Sequence, residues 1–105
     1  MNKKIFSRIK AIAELLKKEY KAEQVILFGS YARGDETKDS DLDLLIIAPT
    51  REGFFQRMAH VRKLIRNLRK GLPFAPIVLN KKELVKRINI GDQFIKEILE
   101  TGIKL

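Results

Sequence analysis

Apolar positions along the chain follow two rhythms, one recurring every three to four residues and one of nearly unbroken runs. They divide the sequence into alternating helices and strands. Between Lys3 and Tyr20, Ile5, Ile9, Ile12 and Leu16 recur at helical spacing with Phe6, Ala13 and Leu15 beside them, predicting an amphipathic helix whose solvated face carries Lys10, Glu14, Lys17 and Lys18. A polar connection, Lys21 to Gln24, leads into a first strand over Val25 to Phe28. Gly29 and Ser30 then turn the chain, Tyr31 to Arg33 make about one helical turn, and Gly34 ends it. After the polar loop Asp35 to Ser40, Leu42 to Ala48 is nearly continuous apolar sequence closed by Pro49, the mark of a strand covered on both faces by helices.

The second half repeats the alternation. From Gly53 to Lys70 the residues Phe55, Met58, Val61, Ile65 and Leu68 predict a helix stopped by Gly71 and Pro73, with Phe54 and Phe55 expected in core or entry packing. Its solvent side is expected to carry Arg57, Arg62, Lys63, Arg66, Arg69 and Lys70, and no acidic residue lies between Glu52 and Glu83. Phe74 to Leu79 reads as a third strand, and Pro76 places it at an edge or gives it an irregular start. Asn80 and Glu83 form a capping-box pattern for a short helix through Arg87. Asp92 caps a last helix with the apolar stripe Ile95, Ile98 and Leu99; Gly102 ends it, and Ile103 to Leu105 can add a terminal strand. The expected fold class is α/β (α+β), a small mixed sheet packed by helices.

Length and composition narrow the class. One domain, residues 1–105, accommodates a single core, and 45% hydrophobic with 33% charged residues describes a globular chain. No apolar run approaches the roughly 20 residues of a membrane span, and charges interrupt the N-terminal segment before any signal-peptide core forms, so the expected location is cytoplasmic. Absence of Cys removes disulfides, thiol chemistry and Cys-based zinc sites; the single His60 is expected on or near the surface rather than as a ligand. The net charge of +9 favours anionic partners such as nucleotide, RNA or an acidic protein face, and equally describes a Lys-rich surface of the kind found in heat-stable proteins.

Candidate chemistry sits where the first two strands meet their turn. Asp41 and Asp43, one residue apart, point to the same side of an extended chain. If Val25 to Phe28 and Leu42 to Ile47 are antiparallel neighbours, the Gly29-Ser30 turn lies beside this pair. Gly29 permits close backbone approach, and Ser30 is expected to cap the short helix and expose N–H groups to phosphate. Two such carboxylates suit one or two Mg²⁺ ions whose remaining ligands are substrate phosphate oxygens. Taken singly, a Gly-Ser turn and a Ser-Asp pair before a strand are also ordinary turn chemistry. Arg33 has two readings, a phosphate contact or an ion pair that steadies the acidic loop or an Asp.

Gly29-Ser30, ten intervening residues and Asp41-x-Asp43, with Ala32-Arg33-Gly34 and Ser40 in between, resemble the motif of the DNA polymerase β-type nucleotidyltransferases. The chain's size makes it most similar to the minimal, or MNT, domains, and the ending Gly91 to Leu99 and Thr101 to Ile103 extends the resemblance over nearly the whole chain. The resemblance implies the polymerase β-like fold, ATP or another NTP as substrate, and transfer of a nucleoside monophosphate to a hydroxyl on a protein or small molecule. Gly29, Ser30 and Arg33 would then bind nucleotide, with Mg²⁺ held by Asp41 and Asp43. It further implies a HEPN-type helical partner in an antitoxin pairing. Apart from the resemblance, the basic face of the Gly53 to Lys70 helix is expected to contact RNA or an acidic partner, and the apolar stripe of the last helix either packs internally or forms a homodimer.

One expected residue is missing. Such proteins usually carry a third acid on the strand after the long helix, and register places that position at Ala75. Substrate phosphates could complete the metal shell, a partner chain could supply the acid, or the domain could bind without catalysing.

Overall fold

The computed structural model describes residues 1–105. In chain order the elements are α1 (Lys3–Glu19), β1 (Gln24–Phe28), α2 (Gly29–Arg33), β2 (Leu42–Ile47), α3 (Phe54–Arg69), β3 (Phe74–Leu79), α4 (Lys81–Asn89), α5 (Gln93–Thr101) and β4 (Ile103–Lys104). Local chemistry sets the boundaries. The Asn2 and Asp92 carbonyl-type oxygens accept from Ile5 N and Ile95 N to start α1 and α5, and Asn80 and Glu83 form the expected reciprocal box at α4. Gly34, at φ +79°, closes α2 in the left-handed conformation.

The strands form one mixed sheet in the order β3-β2-β1-β4. β1 pairs antiparallel with both β2 and β4, whereas β2 and β3 run parallel through the α3 crossover. Alternation then sends side chains to two cores. Val25, Leu27, Leu44, Ile46 and Val78 pack with Ile9, Ile12 and Leu16 of α1 and Val61 and Ile65 of α3. Ile26, Leu45, Ile47 and Leu79 pack on the other face with Leu84 of α4 and Ile95 and Ile98 of α5. Burial on both faces explains the unbroken apolar run of β2. No helix is long and apolar enough to cross a membrane.

Three expectations need correction. Ser30 does not cap α2: the helix begins at Gly29, with Phe28 in the cap position and no side-chain cap bond. Phe54 and Phe55 are not core residues; they are 63% and 83% exposed and pack edge to face on each other, because the first turn of α3 projects beyond the sheet-facing stripe that begins at Arg57. Arg57 does not belong to the solvated basic face. It is buried, 8% exposed, with Nη1 and Nη2 donating to Glu83 Oε1 and Oε2 at 2.6 and 3.0 Å, Nε to Glu52 O and Nη1 to Val78 O. Arg69 is only half-buried on that helix and donates to Leu72 O, which leaves Arg62, Lys63, Arg66 and Lys70 as its exposed cations.

Arg57 also closes the outer edge of the sheet. Pro73 O and Leu79 O accept from Leu42 N and Ala48 N, so alternation turns the backbone groups of Phe74, Pro76 and Val78 outward. Pro76 has no N–H to offer and Val78 O is occupied by Arg57 at 3.0 Å, so the edge lacks a free ladder for another strand.

Arg57→Met is expected to cost about 1–3 kcal/mol in urea unfolding at pH 7, since the guanidinium's bonds vanish while Glu83, 40% exposed at its side chain, keeps solvent. The Arg57 hydrogen bond holds the Glu83 carboxyl below its ordinary value of 4.5. A depressed carboxyl contributes stability that is complete above that value and lost as pH falls through the lower folded value. Acidification below about pH 4.5 should therefore erode wild-type stability more than that of the variant; parallel acid profiles would refute this.

Candidate functional site

Antiparallel register places Phe28, the last residue of β1, opposite Asp43 of β2. Both side chains lie on the sheet face shared with α5, since Ile26 and Leu45 occupy the same face two residues away. The chain then turns at Gly29 with φ +73°. A Cβ on Gly29 would stand 2.1 Å from Asp43 Oδ2 and 3.0 Å from its Cγ, so turn and carboxylate are built against each other and only glycine fits. Ser30 follows in the first turn of α2, where its carbonyl accepts from Gly34 N and Asp35 N at 3.0 and 3.2 Å.

These groups open onto a cleft of about 590 Å³ lined by Gly29, Ser30, Arg33 and Asp43 from the β1–α2–β2 corner. Asp41, exposed just before β2, is outside that lining, but its charge reaches Asp43. Partial burial, then the neighbouring charge of Asp41, pushes the Asp43 carboxyl above the usual range, while Arg33 pulls it down. Arg33 itself is exposed, with Nε 3.3 Å from Asp35 Oδ2. The ion-pair reading thus has a counterpart, in Asp35 on the loop and through charge in Asp43.

A divalent cation suits this donor set in part. Two carboxylates whose charges oppose each other are what such an ion relieves, and hard cations accept oxygen ligands from phosphate and water for the rest of their shell. No group of three or more His, Cys, Asp or Glu side chains converges anywhere in the chain. Asp43 is paired in register with Ala75 on β3, so the position beside it that could hold another acid carries a methyl group.

The remaining wall of the cleft escapes the sequence reading. Phe94, Glu97, Ile98, Thr101 and Gly102 of α5 and its C-terminal end line it, with Phe28 and Ala32. The signal was present as spacing: positions 94, 97, 98 and 101 share one helix face that mixes aromatic, acidic and hydroxyl chemistry. His60, by contrast, lies away from the cleft and sets Nδ1 3.1 Å from Glu52 Oε2, edge-on to Tyr20.

Known proteins share the sequence pattern and the fold. The family model described as "Nucleotidyltransferase domain" matches residues 9–105. Two proteins of Methanocaldococcus jannaschii, each named "Putative protein adenylyltransferase", are 32% and 36% identical over 95% and 90% of this chain, and the alignments cover 96% and 90% of the relatives. A crystal structure described as "a putative nucleotidyltransferase from Sulfolobus solfataricus" superposes with a TM-score of 0.57 at 31% identity, covering 76% of this chain and 70% of that one. A second structure, "putative minimal nucleotidyltransferase", shares the fold with a TM-score of 0.68, covering 97% and 93% of the two chains at 24% identity.

Gly29→Ala is expected to lower stability by about 1–3 kcal/mol from backbone strain alone, with a further loss from the clash. In an Asp43→Ala background the clash with the carboxylate disappears, and a double-mutant cycle in urea should show coupling of about 0.5 kcal/mol or more. Additive costs would mean that the turn and the acid do not touch.

Proposed function

The chain belongs to the nucleotidyltransferase domain family, and on that footing we propose that it transfers a nucleoside monophosphate from an NTP, ATP in the first instance, to a hydroxyl of a protein. The observation that carries this reading is the close approach of Gly29 to Asp43, which sets the glycine turn directly against a carboxylate. Gly29 and Ser30 hold the triphosphate through backbone and hydroxyl groups, and Arg33 offers a cation at the same mouth. Asp41 and Asp43 hold Mg²⁺, which when bound neutralises phosphate charge and orients the α-phosphorus. The relatives' description as protein adenylyltransferases supports ATP and a protein acceptor.

The chain's own residues then account for the rest. Asp43, held above the usual range by burial and by Asp41, is the carboxylate that gains most from a bound cation, and Arg33 steadies its ionised form. A separately encoded HEPN-type helical protein is the proposed acceptor and partner, in an antitoxin role. The exposed cations of α3, which packs on the sheet face opposite the cleft side, are free to meet RNA or an acidic surface without entering the cleft. A homodimer needs no residue of the site. The cytoplasm is the proposed location.

A second reading has one observation in its favour: Ala75 stands beside Asp43 where another acid would complete the cation site. In that reading the domain binds nucleotide or partner without turnover.

With labelled ATP, Mg²⁺ and the protein encoded next to it, label should appear on the partner, and Asp41→Asn with Asp43→Asn should reduce transfer about 100-fold or more. Tight partner binding with no transfer by the wild type would favour the binding module instead. Ala75→Asp is expected to tighten Mg²⁺ binding and to raise transfer, by up to about 100- to 1,000-fold if the lost electrostatic element is fully restored. An unchanged Mg²⁺ affinity in that variant would show that position 75 does not address the cation site.

A further inference from the structure

One face of α5 builds the wall of the cleft that the phosphate and metal roles leave unassigned. Ile98 of that face is buried in the sheet core and anchors it. Gly102 lets the end of the helix sit tight against β1, since a Cβ there would meet Ile26 Cγ2 at 2.4 Å, Ile98 O at 2.6 Å and Leu27 O at 3.1 Å. The wall is therefore held by packing rather than by a mobile loop.

Two side chains on it have no structural duty that uses their chemistry. Phe94 is 52% exposed although it lines a cleft, and its ring is fixed edge-on to Phe28 at 5.7 Å between centroids and 83° between planes. Glu97 lines the same cleft, yet its carboxylate takes part in none of the chain's ion pairs, which fall at Glu36, Asp35, Glu83, Glu52 and Asp92, in a protein with 22 Lys and Arg. The nearby Thr101 hydroxyl is engaged with the Glu97 backbone carbonyl at 2.8 Å and leaves the carboxylate free.

An ionised carboxylate only accepts hydrogen bonds, and an exposed ring of fixed orientation offers a face for stacking. Glu97 also repels phosphate, so a nucleotide in this cleft is oriented with its phosphates at Gly29, Ser30 and Arg33 and its uncharged end at α5. We propose that the Phe94–Glu97 face of α5 is the nucleoside side of the cleft, Phe94 stacking on the base and Glu97 selecting a base that presents an exocyclic amino group. This deepens the nucleotidyl-transfer reading and rests on it.

Equilibrium binding separates the two. Wild type, Phe94→Ala, Glu97→Ala and Glu97→Gln are titrated calorimetrically, with Mg²⁺, against ATP, purine riboside triphosphate and inorganic tripolyphosphate; the second ligand keeps the purine ring and lacks the amine. Wild type is expected to bind ATP about fivefold or more tighter than purine riboside triphosphate. Glu97→Ala should erase that ratio, and Glu97→Gln, which keeps an acceptor oxygen, should retain part of it. Phe94→Ala should weaken both nucleotides about tenfold, while neither alanine variant binds tripolyphosphate less well than wild type. If the variants keep wild-type affinities and ratio while tripolyphosphate binds, the α5 assignment is wrong and the transfer reading stands. If neither ATP nor tripolyphosphate binds the wild type, both fall.

Discussion

The close approach of a glycine turn to a strand carboxylate is the constraint on which the site depends. Asp43 sits at the end of the β1–β2 ladder opposite Phe28, and Gly29, the residue after β1, turns so close to it that a Cβ there would stand 2.1 Å from Asp43 Oδ2. Shifting the ladder by one residue would turn Asp43 into the core under α1 and α3 and bring Leu42 or Leu44 to the cleft. Register is secured because both faces of β2 are buried. The apolar run that looks like simple core thus also aims the acid.

The same acid opposes the stability of the fold that holds it. Its folded carboxyl is pushed up by burial and by Asp41, and a carboxyl whose folded value exceeds its unfolded one loses stability as pH rises through that value. Asp43 accepts no hydrogen bond that would offset this, and Arg33 lowers its value only through charge across the mouth of the cleft. Arg57 shows the contrasting case: its burial is matched by four well-placed acceptors and closes the sheet edge.

The two sheet faces divide the labour. α1 and α3 provide the larger core, whereas α4 and α5 leave one end of the opposite face open as the cleft. Gly102 is the counterpart of Gly29 on this side, because its missing Cβ lets α5 close on Ile26 and Leu27. Both glycines line the cleft, one turning against Asp43 and one packed against β1.

Helix and strand order, the caps at Asn80 and Asp92 and the edge position of β3 were legible in the sequence, because periodicity and capping act between residues a few positions apart. Local spacing also nominated Gly29, Ser30, Arg33, Asp41 and Asp43, of which the fold brings all but Asp41 into the lining of one cleft. Burial of Arg57 was not legible, since its acceptor Glu83 lies 26 residues away and a cation on a helix reads as solvated until its partner is placed. Phe54 and Phe55 misled for the reverse reason: apolar character says nothing of whether a helix's first turn still overlies the sheet. The α5 wall of the cleft was legible only as one helix face, because Glu97 and Ser30 are brought together only when β4 returns to pair with β1. Sequence alone determined which elements form, as those follow from short-range sterics and hydrogen bonding; which side chains share a cavity was decided by long-range pairing and packing.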